Sequence, residues 1–326
     1  METYSTNFIP FLVADRQASL KIISGLNISK FNSKIGIMSH ANTTDNFKIA
    51  FRRFPCVDKN MCEVLHKPCP YGLNIMMCLE GLSLKQRTVK IADSGVFTKS
   101  GCKFEDYEKL FEEYEKMDID YGIMIDHLRD IDATLESAKD GMRIYLKKNR
   151  RFKLIGVVQG NNVEQYLECY KKLKTIGYKH IAIGGLLKKI KNSVRYTKVE
   201  NENFMFEVIR TIREYDPNGW LFALGCYSRV RQNEFARLGI FGSDYKGWIF
   251  HYSKRYKNEK RAQRDRFSQV RKFLEDKIFG SSRLLIVPCS QRKIVTENVL
   301  PAIQVYDGPF YKLLRKYIRS FENDNR

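Results

Sequence analysis

Three aspartates stand at or near the ends of short apolar runs. Asp93 lies in 89–95 (VKIADSG), Asp126 closes 121–126 (YGIMID) and Asp244 lies in 241–245 (FGSDY). Gln159-Gly160 ends a fourth run, 154–160 (LIGVVQG), and Gly184-Gly185 ends a fifth, 180–185 (HIAIGG). Singly, each aspartate reads as a helix N-cap. Gathered at one edge, carboxylates repel and raise one another's pKa, a cost tolerated where chemistry needs it. Two close carboxylates can divide labour at a glycosidic carbon. One attacks the anomeric centre and forms a covalent glycosyl-enzyme; the other protonates the departing group and later deprotonates the incoming one. With an amide-bearing, purine-like leaving base, a further Asp and a Gln could read its polar edge, and backbone N–H groups at Gly-Gly could hold its carbonyl. This chemistry requires no metal, and the glycines match neither a dinucleotide-binding nor a P-loop pattern.

The elements that must position these groups follow from periodicity. Residues 154–158 form an apolar, β-branched run, 163–176 has helical spacing, and 180–183 is a second apolar run. Strand, helix and strand at this spacing make a βαβ unit with a parallel, right-handed crossover. Eight such runs occur: 10–15, 35–40, 89–95, 121–126, 154–160, 180–185, 221–226 and 241–245. Helical patterns at 104–117, 133–148, 163–176 and 204–215 separate most of them. The count predicts an α/β chain folded as a (β/α)8 TIM barrel with a short C-terminal α/β appendage. A doubly wound open sheet is the alternative, and eight similar units favour closure. In a barrel, Asp15, His40, Asp93, Asp126, Gln159, Gly184-Gly185, Cys226 and Asp244 share the C-terminal rim. The barrel is expected over 1–278, with an insertion at 41–88 that could form a lid or touch a partner. A small segment follows at 281–326, either minimal or completed by a partner protein.

The 326 residues carry a formal charge of +20, and the excess is concentrated. Residues 187–198 (LKKIKNSVRYTK) hold Lys188, Lys189, Lys191 and Arg195 among five bases and no acid. Residues 248–277 include Lys254, Arg255 and Lys257 among ten bases against four acids. Interleaved with Tyr and Phe, these stretches point to nucleic acid, held through phosphates. No run approaches a membrane span, and 1–17 has no basic region before its apolar segment, so a soluble cytoplasmic protein is expected. Eight cysteines then read as reduced thiols. Cys56, Cys62, Cys69 and Cys78 cluster near His66, but their spacing fits no paired-ligand knuckle, and ordinary thiols are the preferred reading over a metal.

Four motifs, IADSGVF (91–97), GVVQGN (156–161), AIGGL (182–186) and ARLGIFGSD (236–244), resemble in order those of the tRNA-guanine transglycosylase superfamily. The resemblance covers about residues 10–250 and implies exchange of a guanine in a polynucleotide for a 7-deazaguanine base, making the chain a pentosyltransferase. It implies that Asp244 is the nucleophile at C1′ and Asp93 the general acid/base. Ser94 follows Asp93 as in the family. Asp126, Gln159-Gly160 and the backbone of Gly184, Gly185 and Leu186 resemble the base-reading groups. Leu224-Gly225 take the place of a Met-Gly that stacks below the base. The chain also departs from the pattern. Val96 and Thr98 replace a Gly and a Gln, Asn161 replaces a Gly, and no Cys-rich zinc knuckle follows Asp244. No cofactor is expected, and a zinc-supported tRNA-docking subdomain is missing or rebuilt. These departures resemble the branch that modifies DNA, found with phage and mobile-element systems, and would place the protein in the host cytoplasm if viral. DNA is the expected polymer, tRNA the alternative, and a free base such as 7-cyano-7-deazaguanine the second substrate. A catalytically inactive nucleic-acid-binding barrel is the reading from another class. The C-terminal LLIVPCSQRK (284–293) resembles the opening of small domains that accompany deazaguanine enzymes, though Lys293 lacks the Pro-Tyr that follows the catalytic lysine there.

Overall fold

Runs apolar at consecutive positions, such as Ile35–His40 and Lys153–Val158, are buried along almost their whole length, which a parallel sheet allows when helices cover its outer face. The computed structural model describes residues 8–26, 34–54, 87–96, 103–104, 106–190, 193–248 and 260–279. Eight strands close into an all-parallel barrel. They are β1 (Ile9–Val13), β2 (Ile35–His40), β3 (Thr88–Asp93), β4 (Tyr121–Ile123), β5 (Lys153–Val158), β6 (His180–Ile183), β9 (Trp220–Ala223) and β10 (Gly242–Tyr245). Their order is β1-β10-β9-β6-β5-β4-β3-β2, with β2 closing on β1. This is the (β/α)8 arrangement, and the open sheet is excluded.

The α-helices among the described residues are α1 (Gln17–Ser24), α2 (Asp45–Arg53), α3 (Tyr107–Met117), α4 (Ile131–Leu146), α5 (Val163–Ile176), α6 (Glu202–Tyr215), α7 (Arg229–Arg237) and α8 (Lys260–Phe273), the last continuing as a π-helical turn over Leu274–Phe279. Short polar side chains start five of them: Thr44, Asp106, Asp130, Asn162 and Asn201 each accept a backbone N–H of the first turn. The periodic patterns on the sequence therefore begin two or three residues off the observed boundaries, except for α5, which matches at both ends. α8 is tied to the barrel by Arg271, whose guanidinium donates to the Lys21 and Ile22 carbonyls at the end of α1.

At the N-terminal end of the barrel, Tyr121, His180, Trp220 and Phe241 form an aromatic cluster. Tyr121 stacks on Trp220 at 5.1 Å and Trp220 meets Phe241 at 4.7 Å. Higher up, the fully buried Phe11 packs edge-on to Phe222 at 5.1 Å. Its ring occupies the space where side chains of Gly36 and Gly242 would stand. The bottom is thereby filled with rings, and the C-terminal mouth is the end left for polar groups.

Two features differ from the sequence expectation. The interval 41–88 opens with α2, whose buried Phe47, Ala50 and Phe51 make it a regular covering helix of the barrel and not part of an insertion; 55–86 lie outside the described residues. The basic stretch 187–198 lies in a two-stranded antiparallel ribbon, β7 (Leu187–Ile190) with β8 (Ser193–Val199), appended to the barrel between β6 and α6. The chain divides into compact units at Met1–Ser281 and Ser282–Arg326, and the second, with Lys293, lies outside the described residues. No helix among the described residues is long and apolar enough to cross a membrane.

Gly36→Ala would place a methyl group within 2.2 Å of the Phe11 ring. We expect a loss of about 1–3 kcal/mol, read by urea unfolding, from overpacking at a site with no room to yield; an unchanged midpoint would show that Phe11 can move aside.

Candidate active site

The rim residues are carried by strand ends, so their spacing is set by the ladder. Asp93 ends β3, where its neighbour across the ladder is His40 of β2. Asp126 follows β4, Gln159 follows β5, the two glycines follow β6, and Asp244 lies in β10 opposite Phe11 of β1. Asp93 links the other two aspartates electrically. Asp93 raises the pKa of both Asp126 and Asp244.

Asp244 is 9% exposed, and its Oδ1 accepts the Gly225 N–H at 2.5 Å. Burial lifts its pKa to about 6; the Gly225 hydrogen bond opposes the rise, Asp93 adds to it and Lys246 opposes it. Gly225 adopts a left-handed φ of 69°, and Leu187 fills the space a Cβ would need. Its place in the sequence suggests support below a base; its observed contact is with the carboxylate. Leu224, partly buried beside it, donates its N–H to Ile183. Cys226 is buried close to Asp244 with its thiol pKa pushed up by burial, and the sulfur contacts the Leu224 carbonyl.

Asp93 keeps a partly exposed edge. Burial raises its pKa, while N–H groups of Gly95 and Ser94 and the Ser94 hydroxyl, 3.4 Å away, hold the rise back. Asp126 is more enclosed, at 7% exposed, and burial followed by the Asp93 charge lifts it to about 7, against a hydrogen bond from Gln159.

That hydrogen bond is short: Gln159 Nε2 donates to Asp126 Oδ2 at 2.6 Å. Gln159 is fully buried, and its amide explains the paired glycines. A Cβ on Gly184 would stand 2.7 Å from Nε2, and one on Gly185 2.5 Å from Oε1. Gly184 is otherwise engaged, its N–H with Val158 and its carbonyl with the Tyr166 hydroxyl at 2.8 Å. Its N–H is therefore not the one to hold a base carbonyl, which corrects the equal weight given to the two glycines; Gly185, at φ 71°, and the buried Leu186 come next in the chain. Gly160 serves packing, since a Cβ there would strike the ring and N–H of Tyr166.

Asp15 and His40 belong to a neighbouring cavity. Asp15 is ion-paired with Arg16 at 3.2 Å, and both line a space of about 510 Å³ with His40, Asn42, Thr43 and Phe47. Burial, then Lys246, lowers the His40 pKa. Among the basic candidates, Lys188 is exposed, with Nζ 3.6 Å from Glu200. Lys189 and Arg195 lie on β7 and β8, while Lys191, Lys254, Arg255 and Lys257 lie outside the described residues.

Four participants were not singled out from the sequence. Lys246, exposed, acts on Asp93, Asp244 and His40. Its position two residues past Asp244, just beyond the end of β10, was the available signal. Tyr166, Glu200 and Arg129 had none, because they act through tertiary contacts. No group of three or more His, Cys, Asp or Glu among the described residues could hold a metal. Cys56, Cys62, His66, Cys69 and Cys78 lie outside them, and 245–277 contains no cysteine with which to build a zinc knuckle. The chain matches no model of a known protein family and no curated protein.

With folded pKa values near 7 and 6 against an ordinary 3.8, Asp126 and Asp244 bind more protons folded than unfolded. Stability supplied by those protons is present at low pH and declines as pH rises from about 4 to about 7. Asp126→Asn should flatten that decline by on the order of 2 kcal/mol, measured by urea unfolding at several pH values across the window. A variant whose slope matches wild type would mean that Asp126 titrates like a surface acid.

Proposed function

We propose that the protein exchanges guanine for a 7-deazaguanine base at a glycosidic carbon of a polynucleotide, with DNA as the favoured polymer. The observation that carries this reading is the shared field of Asp93, Asp126 and Asp244 at one barrel mouth. Three acids brought together from separate strands lose solvation and repel, and the N–H groups, hydroxyl and amide spent on them tune their protonation without neutralising them.

The tuning suits a division of roles. Asp244, titrating near 6, is mostly ionised at neutral pH and has an N–H fixed on one oxygen. In this reading its other oxygen attacks C1′ as the C1′–N bond breaks. Asp93, whose pKa burial raises, is the acid in this reading and passes a proton to the departing guanine. The incoming base then gives a proton to Asp93, and its nitrogen attacks C1′ and releases Asp244. Configuration is retained through the two inversions. Asp126 and Gln159 read the polar edge of the base, and the turn at Gly185 and Leu186 meets its carbonyl.

Reaching C1′ and the base edge together requires the nucleotide to leave the stack. In this reading the exposed Lys188, just past the base-reading turn, holds the strand by its phosphates, helped by the basic composition of 187–198. A ribbon that grips phosphates serves RNA as well as DNA, so tRNA is an outcome of the test.

Nucleoside mass spectrometry of DNA and RNA from cells expressing the protein with 7-cyano-7-deazaguanine supplied should find the modified base in DNA. Its appearance in RNA alone would assign the tRNA reaction, and its absence from both would overturn the reading. In vitro, Asp244→Asn should lower exchange by at least about 10³-fold while changing oligonucleotide affinity by less than about threefold, because phosphate contacts supply most of that affinity.

A further inference from the structure

We infer that Arg129 is a positioning residue: its backbone N–H, held in a left-handed turn, decides which way the Gln159 amide faces and so which base edge Asp126 can accept. The role assigned to the base rests on the exchange reading above; the effect on Gln159 does not.

Arg129 has φ 63°, and among the described residues only it and Asp118 combine a positive φ with a side chain. Asp118 has an evident reason, since it ends α3 in the left-handed cap conformation. Arg129 ends no helix. It sits between Asp126 and Asp130, the N-cap of α4, in a conformation that costs a branched-chain-free but bulky residue energy. What the turn achieves is a contact: Arg129 N–H donates to Gln159 Oε1 at 3.2 Å.

A backbone N–H can only donate, so it selects the oxygen of the amide. The Gln159 nitrogen is then delivered to Asp126, which it meets at 2.6 Å. Turned over, the amide would set its NH2 against the Arg129 N–H and its oxygen against a carboxylate. Gln159 is fully buried, so no water offers either end an alternative. With one Asp126 oxygen receiving Gln159, the carboxylate favours its ionised form, and the other oxygen is suited to a ligand edge rich in N–H donors. Guanine has such an edge; adenine does not.

The turn is braced from outside. The Arg129 guanidinium meets Glu200 at 2.7 Å, and Glu200 lies just past β8, its own N–H on the Leu186 carbonyl at 3.0 Å. Both groups of that pair are about half exposed, so its strength is small and its contribution is to geometry. The base of the basic ribbon and the base-reading pair are thereby joined through one side chain.

The test compares Arg129→Val, whose branched side chain resists the left-handed region, with Arg129→Gly, which enters it freely and keeps the N–H. Two readouts are taken on the full chain. The first is the Asp126 titration by carboxyl ¹³C NMR, assigned with Asp126→Asn; the groups facing Asp126 are Asp93, Gln159 and Tyr107. The second is guanine affinity by calorimetry. Arg129→Val should raise the Asp126 pKa and weaken guanine about tenfold, the worth of one hydrogen bond to a charged group, while Arg129→Gly stays within about threefold of wild type. Should the valine variant fail to fold, Arg129→Thr meets the same β-branched backbone penalty with a polar side chain. Identical titrations in wild type and the valine or threonine variant, or a glycine variant as impaired as they are, would overturn the inference. A shifted titration in a protein whose wild type binds no guanine would uphold the positioning role and sink the exchange reading instead.

Discussion

The mouth of this barrel is organised by repulsion. Asp93, Asp126 and Asp244 arrive on β3, β4 and β10, and Asp93 presses on both of the others. A fold left to optimise stability alone would separate or replace such groups, since removing charge from water costs more than unpaired carboxylates return. Here each acid has instead one or more fixed donors: Gly225 for Asp244, Gln159 for Asp126, and Ser94 with Gly95 for Asp93. The donors oppose the rise that burial imposes, leaving Asp126 near 7 and Asp244 near 6; unequal pKa values among like residues are what the proposed division of acid, base and nucleophile would draw on.

Much of the remaining architecture serves that arrangement. Aromatic rings close the opposite end, and Phe11 over Gly36 and Gly242 fills the interior below the rim. The glycines near the site mark where something else needs the space. Gly184 and Gly185 make way for the Gln159 amide, and Gly225 for Leu187. The amide in turn is held by Arg129 in a conformation that side chains seldom adopt.

The barrel was legible in the sequence because its signal is local and repeated. Each apolar run is a strand buried on both faces, and most intervening helices show their periodicity and begin at a short polar cap. α1, α2 and α7 escaped notice because they are short: α2 fell inside the interval read as an insertion, and α7 buries only Phe235. The ribbon was hidden by its composition, since closely spaced lysines show no apolar alternation and pointed to nucleic-acid binding without a strand. The rim aspartates, Gln159 and the glycines were visible as strand ends. Their partners were less so: that Gly225 serves Asp244, that Gly184 spends its N–H on Val158, and that Asp15 turns aside to Arg16 are facts of tertiary contact. Lys246 could have been found, two residues beyond Asp244.

The most direct measurement of the central claim is to trap the covalent intermediate. Protein denatured during turnover with a guanine-containing oligonucleotide, digested and mapped by tandem mass spectrometry, should carry the sugar on the peptide that contains Asp244, at that carboxylate, with guanine released in equal amount. A sugar found on Asp93 or Asp126, or guanine released with no adduct in rapidly quenched samples, would contradict the assignment on which the account rests.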